Sequence, residues 1–300
     1  MDAAPSLQDT FIELLAGAAG GMAGLAVGYP ADTIKVHQQV RGESLRSATK
    51  HIWRNYGIRG FFRGMSVPLI TNGAIFAVFF STYGACLEYF TAQDGRLAIA
   101  LEQKLTTEDV STYKEIFVGG CVGGFFQALV ASPVEFLKVQ MQIHKEKKAL
   151  KPNVIVRSII ANRGYVGLGH GLGATMWRDI HSHGLYTICY KFYLDHICAR
   201  DPGIPCIFMA GGIAGVLFWW SCIPMDVVKS KLQADSISNP IYKGTIDCTR
   251  KLYRQGGLKP FLRGYSTVVI RAFPANGAIF LVHDSCRSLL EACGICRSKK

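Results

Sequence analysis

The sequence predicts an all-α membrane protein in which six transmembrane helices and three short helices form three repeats. Three observations lead to this prediction. First, 49% of the 300 residues are hydrophobic and only 18% are charged, and the mean hydropathy is +0.20. Second, the chain contains six apolar runs of membrane length. Third, one motif occurs three times at nearly regular spacing, which is the signature of a repeat architecture.

The apolar runs give the long helices. Four runs contain no Asp, Glu, Lys or Arg: residues 14–31, 64–87, 116–134 and 203–225. Residues 164–190 are interrupted only by Arg178 and Asp179, and residues 264–283 only by Arg271. Each run is long enough to cross the hydrocarbon core of a bilayer as a helix. A soluble all-helical protein is the alternative, but six such runs would leave too little polar surface to cover a soluble core.

The repeated motif is Pro-x-acid-x-x-Lys, which begins at Pro30, Pro133 and Pro224 and is followed in each copy by a glutamine nine residues after the proline. A short amphipathic pattern comes next in each copy, at residues 45–54, 154–162 and 245–254. Two glycines seven residues apart end each segment. The repeats are therefore predicted to span residues 8–97, 112–200 and 203–293.

Proline and glycine mark where the elements of each repeat change. We expect a long helix with a proline-induced bend, a short surface helix, and a second long helix. Glycines at every fourth position, such as Gly119 and Gly123 or Gly120 and Gly124, would allow neighbouring helices to approach closely in lipid.

The charge balance indicates which partners to expect. There are 33 Lys and Arg residues against 21 Asp and Glu residues, a net charge of +12, which suits an anionic lipid or an anionic ligand and does not by itself indicate nucleic acid. His181 and His183 would point about 200° apart on a helix, so they are not a metal pair. No nucleophile, base and orienting residue occur together, so we expect no enzyme activity, no metal and no cofactor.

The motif, together with the glycine-bounded segment in three tandem copies, resembles the signature of the mitochondrial carrier family over residues 8–291. Within that family, residues 64–78, 178–179 and 271–276 look most like the carnitine/acylcarnitine carrier and related basic amino-acid carriers. The resemblance implies a monomeric, threefold pseudosymmetric carrier in the mitochondrial inner membrane.

The resemblance also implies a gate of ion pairs on the matrix side of a central cavity. The expected pairs are Asp32 with Lys138, Glu135 with Lys229, and Asp226 with Lys35, braced by Gln39, Gln142 and Gln233. The alternative is that each repeat only carries a solvated charge pair at a helix end, worth roughly 0.5 kcal/mol or less.

Two other family motifs fit the chain only in part. At the cytoplasmic gate, Asp284 and Arg287 keep the family's charges, whereas Lys191 occupies an acid position and the first repeat has neither charge. We therefore expect a weak cytoplasmic lock, which leaves both exchange and net uniport open. By resemblance, cardiolipin would be held beside the glycines that bound each matrix segment, which are Gly57, Gly64, Gly164, Gly171, Gly257 and Gly264.

Ionisable residues at mid-membrane are costly and usually functional. Arg178, Asp179 and Arg271 are the three in this chain. With Thr71 and Asn72, they match the family's substrate contact positions. The alternative is that Arg178 and Asp179 neutralise each other and that Arg271 snorkels.

Two guanidiniums and one carboxylate favour a substrate with both an anionic and a cationic group. Carnitine or acylcarnitine, choline or betaine-like compounds, and basic or methylated amino acids fit this description. Trp177, Trp219, Trp220 and Phe273 could add a cation–π face. The competing hypotheses within the family are a nucleotide or dinucleotide carrier and a proton-leak or uncoupling carrier.

Overall fold

A computed structural model describes residues 7–98, 106–143, 152–197, 204–236 and 240–292. The connections contain four small helical pieces, which are Thr107–Val110 and the 3-10 helices Ile58–Phe62, Tyr165–Gly169 and Lys259–Leu262. The main frame of the described fold is six long and three short α-helices. Each repeat consists of a long helix, a short helix and a second long helix. In chain order they are α1 (Leu7–Arg41), α2 (Leu45–Tyr56), α3 (Ser66–Gln93), α4 (Tyr113–Ile143), α5 (Pro152–Arg163), α6 (Leu172–His196), α7 (Ile204–Gln233), α8 (Thr245–Gly256) and α9 (Tyr265–Ala292). Strands are absent from these residue ranges, and the all-α prediction is confirmed.

The motif prolines lie inside continuous helices. Pro30, Pro133 and Pro224 are within α1, α4 and α7 respectively. A proline removes one backbone hydrogen bond from the helix that contains it. The residues after each proline nevertheless stay helical, so the acid and the lysine of each motif are held one turn apart on the same helix.

The six paired glycines all have a backbone conformation that other residues avoid. Their φ angles lie between 62° and 92°, in the left-handed region where a Cβ atom is strained. Gly57, Gly164 and Gly257 follow the short helices α2, α5 and α8. The second glycine of each pair precedes the second long helix. This geometry explains why glycine recurs at these positions, independently of any lipid.

Glycines allow close packing of α4 against α6 and of α1 against α9. The longest contacts run between α1 and α9, between α4 and α6, and between α6 and α7. A Cβ atom added to Gly120 would lie 2.9 Å from Cα of Gly184 on α6, and one added to Gly24 would lie 3.0 Å from the carbonyl oxygen of Ala275 on α9. These backbones approach too closely for larger residues, as the glycine spacing predicts.

The outer surface of the bundle is apolar. Large side chains such as Ile70, Phe80, Trp220 and Leu281 are between 63% and 80% exposed, which is typical of a lipid-facing surface. By length and composition, three helical segments among the described residues could cross a membrane: Ile58–Gln93, Tyr113–Ile143 and Gly212–Gln233. Helix α6 is less apolar because Arg178, Asp179, His181 and His183 occupy its middle.

The short helices are anchored near the ends of the long helices that carry the motif. Each buries two residues spaced one turn apart: Ala48 and Ile52, Ile155 and Ile159, and Cys248 and Leu252. Two hydrogen bonds fasten α1 to the segment after α2, from the Tyr29 hydroxyl to the carbonyl oxygen of Arg63 at 2.9 Å and from the Thr33 hydroxyl to that of Phe61 at 2.7 Å. The charged motif residues are thereby held in fixed positions.

Candidate functional site

The acids and lysines of the three motifs meet in one ring where α1, α4 and α7 converge. Nζ of Lys35 lies 2.7 Å from Oδ2 of Asp226, and Nζ of Lys138 lies 3.2 Å from Oδ2 of Asp32. Lys229 contacts the Glu135 carboxylate. These are the three pairings expected from the sequence, and each joins two different repeats. Asp226 and Lys229 are each 4% exposed, so the ring is not a set of solvated helix ends.

Two arginines from the second helices of repeats 2 and 3 also bind the acids of this ring. Arg178 lies 3.1 Å from Oε1 of Glu135 and 3.2 Å from Oδ1 of Asp226. Arg271 Nη1 lies 3.0 Å from Oδ1 of Asp32. Each acid of the ring therefore has a lysine partner and an arginine partner, an arrangement that the sequence analysis did not anticipate.

Asp179 pairs with Arg178 through two hydrogen bonds. Nε of Arg178 donates to Oδ1 at 2.5 Å and Nη2 donates to Oδ2 at 3.0 Å. Asp179 is 1% exposed, so its carboxylate needs this partner. Arg178 thus bridges Asp179 on its own helix to Glu135 and Asp226 on two other helices.

The three glutamines of the motif have different partners. Gln39 Nε2 donates to Oδ2 of Asp226 at 2.8 Å, so this side chain does reach a ring pair. Gln142 donates instead to the Thr33 hydroxyl at 3.2 Å, and Gln233 to the carbonyl oxygen of Ser132 at 3.5 Å. The structure brings only Gln39 to the ion pair that it was expected to brace.

A cavity of about 330 Å³ lies against the ring, and both predicted arginines line it. Its charged lining comprises five cationic side chains, Lys35, Lys138, Lys229, Arg178 and Arg271, and four carboxylates, Asp32, Glu135, Asp179 and Asp226. One positive charge of this lining therefore has no counterpart in it. Nε of Arg271 is buried and has no acceptor among the described residues.

The remaining predicted contact residues divide between the cavity and other surfaces. Asn72 lines the cavity, whereas the Thr71 hydroxyl donates to the carbonyl oxygen of Val67 at 2.9 Å. Trp219 also lines the cavity, and Nζ of Lys35 lies 4.4 Å from its ring centroid. Trp177 and Trp220 are 64% and 66% exposed on the outside of the bundle, and the Phe273 side chain lies outside the described residues.

The expected cytoplasmic gate residues are described only in part. Lys191 lies 3.0 Å from Oδ1 of Asp195, one turn along α6, and 3.3 Å from Oδ1 of Asp109 in the connection before α4. The side chains of Asp284 and Arg287 lie outside the described residues. The described partners of Lys191 are thus local to repeat 2.

The sequence analysis missed two polar residues of the cavity, Gln127 on α4 and His183 on α6. Gln127 is 8% exposed, and its Oε1 atom has no donor among the described residues. The spacing of His181 and His183 argues against a metal pair and predicts no substrate contact for His183. Their position in apolar runs was the available signal, because polar side chains at membrane depth usually face the interior of a helix bundle.

Comparison with known proteins gives the family. The sequence profile described as "Mitochondrial carrier protein" matches the chain three times, at residues 7–94, 109–201 and 200–292. The "Mitochondrial arginine transporter BAC2" of Arabidopsis thaliana is 34% identical over 280 residues, which cover 91% of this chain and 89% of the relative.

Two animal proteins are similar at the same level. The "Mitochondrial basic amino acids transporter" of Bos taurus is 32% identical over 90% of this chain and 89% of its own length. "Solute carrier family 25 member 45" of Homo sapiens is 32% identical over 91% of this chain and 96% of its own length. Because the three repeats match the profile in turn and relatives match over most of both chains, this chain belongs to the mitochondrial carrier family and is a transporter.

Proposed function

We propose that the protein moves a small zwitterionic or cationic metabolite across the mitochondrial inner membrane by alternating access. The candidates are carnitine or acylcarnitine, choline or betaine-like compounds, and basic or methylated amino acids. Two of the relatives named above are described as arginine and basic amino-acid transporters, which favours the amino acids. The chain acts as a multi-pass carrier and not as an enzyme.

The charge of the cavity is the observation that carries this proposal. Five cationic and four carboxylate side chains line it, which leaves one positive charge for a substrate carboxylate. Arg271 is the residue best suited to bind it, because it lines the cavity and its side chain is 24% exposed, against 12% for Arg178. The predicted contact residues remain Thr71, Asn72, Arg178, Asp179 and Arg271. Of these, Thr71 already donates its hydroxyl proton to Val67, so it can contact a substrate as a hydrogen-bond acceptor.

Substrate binding would loosen the ring of ion pairs that forms the matrix gate. A substrate carboxylate that binds Arg271 competes with Asp32 for the same guanidinium. A carboxylate that binds Arg178 would compete with Glu135 and Asp226 in the same way. Either exchange removes one of the two cations that hold a gate acid, so binding lowers the cost of opening. The brace role is proposed for Gln39 alone.

The remaining roles follow from family membership. Lys191, Asp284 and Arg287 would form an incomplete cytoplasmic gate, which permits net transport as well as exchange. Cardiolipin would bind at the ends of the short helices, beside the six glycines with positive φ. The protein would work as a monomer.

Uptake by the purified carrier in proteoliposomes tests the substrate class. The panel contains carnitine, choline, lysine, arginine, adenine nucleotides and dicarboxylates. We expect saturable uptake of a zwitterion or cation, reduced at least about tenfold by Arg271→Met. Arg250→Met, on the exposed face of α8, is the matched control and should transport normally.

Two results would contradict the proposal. Uptake of a nucleotide or dicarboxylate that is unaffected by Asp179→Asn would contradict the proposed substrate class, while the family assignment would stand. Potential-dependent proton conductance without any saturable solute would indicate a leak carrier.

A further inference from the structure

A second group of residues lies in the cavity about one turn along α6 from Arg178 and Asp179. It consists of Gln127, His183 and Phe218, which line the cavity, together with Phe79, whose ring packs against that of His183. We call these four residues the aromatic subsite. None of them is among the contact residues expected from the sequence.

The His183 ring presents a hydrogen-bond acceptor to the cavity. Its Nδ1 atom lies 2.9 Å from the carbonyl oxygen of Asp179. Because a carbonyl oxygen can only accept, the proton must be on Nδ1, and Nε2 of the neutral ring then carries a lone pair. Within the described ranges, the contact through Nδ1 is the only hydrogen bond of the His183 ring.

Gln127 provides a second acceptor without a partner. Its side chain is 8% exposed, and Oε1 is buried with no donor in the described parts of the chain. A buried acceptor in this state is costly to the protein. The cavity thus contains two acceptors, on α4 and α6, that the protein itself does not satisfy.

Aromatic rings surround these acceptors. The His183 ring centroid lies 4.7 Å from that of Phe79 and 5.2 Å from that of Phe218, and the planes of the His183 and Phe218 rings are at 83° to each other. The nearby Trp219 ring already faces Nζ of Lys35 at 4.4 Å. Phe218 and His183 therefore provide aromatic surface for a ligand cation beside Gln127.

We propose that the aromatic subsite binds the cationic end of the substrate and selects one that carries N–H groups, namely a primary ammonium or a guanidinium. Such a group can donate to both Gln127 Oε1 and His183 Nε2 while it contacts the rings. A quaternary ammonium has no N–H group and would leave both acceptors unsatisfied. This inference rests on the proposed function and narrows its substrate class to basic amino acids over carnitine and choline.

Lysine and Nε-trimethyllysine are the decisive pair of substrates, because they share the same chain and charge and differ in side-chain N–H groups. Initial uptake rates are measured with the full-length carrier in proteoliposomes. For the unaltered protein, we expect kcat/KM for lysine to exceed that for trimethyllysine at least about tenfold. Gln127→Met should bring the ratio close to one by lowering lysine uptake while trimethyllysine uptake stays the same.

A second variant keeps the test informative if Gln127→Met folds poorly. Gln127→Glu retains the acceptor and adds charge, so it should preserve or increase the preference for lysine. Phe126→Leu on the exposed side of α4, where Phe126 is 44% exposed, is the matched control and should leave the ratio unchanged.

The outcomes separate this inference from the proposed function. Equal or preferential uptake of trimethyllysine, carnitine or choline by the unaltered protein would overturn the inference and leave the proposed function standing. A lysine preference that survives Gln127→Met would also overturn it. If no zwitterion or cation is taken up at all, both the proposed function and this inference fail.

Discussion

Arg178 is the most heavily engaged side chain of the site, since its guanidinium contacts three carboxylates on three helices. Two of these, Glu135 and Asp226, belong to the proposed gate and would move away as it opens. Asp179 follows Arg178 directly on α6 and would move with it. The adjacent acid therefore ensures that Arg178 is not left unpaired when the gate opens, which would otherwise be costly in a low-dielectric interior.

Arg178→Met should destabilise the protein by about 3–5 kcal/mol, because it leaves the buried Asp179 carboxylate without a cation. The double variant Arg178→Met/Asp179→Asn removes both charges and should recover most of this loss. Unfolding of the purified carrier in detergent measures both. A double variant no more stable than the single one would show that Asp179 does not depend on Arg178.

Asp226→Asn should also be strongly destabilising, by about 3–5 kcal/mol, because Asp226 is 4% exposed and binds Lys35, Arg178 and Gln39. Asp247→Asn is the control, since Asp247 pairs with Lys251 on the surface of α8 and should have almost no effect. Thermal unfolding compares the two. Similar small losses of stability in both variants would mean that the ion pairs of the ring stabilise the protein no more than a surface ion pair does.

Side-chain pairing within the ring was only partly predictable. The motif spacing places an acid and a lysine on each of three equivalent helices, so pairing between repeats is expected, and the resemblance to the family implies which lysine meets which acid. Arg178 and Arg271 reach the same acids because of the distances between helices, which sequence spacing does not give. The same is true of Gln142 and Gln233, whose partners depend on which surface of the neighbouring helix lies closest.

At the scale of elements, the short helices were the best predicted part of the fold. The expected segments 45–54, 154–162 and 245–254 compare with Leu45–Tyr56, Pro152–Arg163 and Thr245–Gly256. Their apolar period of one turn and the glycines that follow them fix both position and end. The helical turn at Thr107–Val110 was not predicted, because it lies in a connection without apolar periodicity.

Because α4 and α6 approach closely at Gly120, a larger residue there should lower the stability of the protein. Gly120→Ala should destabilise the protein by about 1–3 kcal/mol, because the new methyl group would lie 2.9 Å from Cα of Gly184 and from the carbonyl oxygen of His183. Gly73→Ala on α3 is the control, since nothing lies within 4 Å of its Cβ position, and it should be neutral or slightly stabilising. Unfolding in detergent should show that Gly120→Ala is less stable than Gly73→Ala. Equal stability of the two variants would contradict the close packing of α4 against α6.

For the whole molecule, the charge of the substrate determines how transport responds to membrane potential. A substrate with one net positive charge gains about 2.3 kcal/mol per 100 mV, which corresponds to about 50-fold accumulation. Lysine uptake into proteoliposomes should therefore rise when valinomycin and a potassium gradient make the interior negative. A net-neutral zwitterion is the control and should not respond. Potential-independent lysine uptake would indicate compensating charge movement.

The three ion pairs of the ring have unequal sets of partners, and we expect this to set the order in which they separate if the ring is the proposed gate. Asp226 has Lys35, Arg178 and Gln39 as partners, and Glu135 has Lys229 and Arg178. Asp32 has Lys138 at 3.2 Å and Arg271, and Arg271 is the arginine that a substrate carboxylate would take. The pair of Asp32 and Lys138, which joins the first and second repeats, should therefore separate first. The two pairs that involve the third repeat should stay closed longer and act as the hinge. A threefold repeat would thus open from one side.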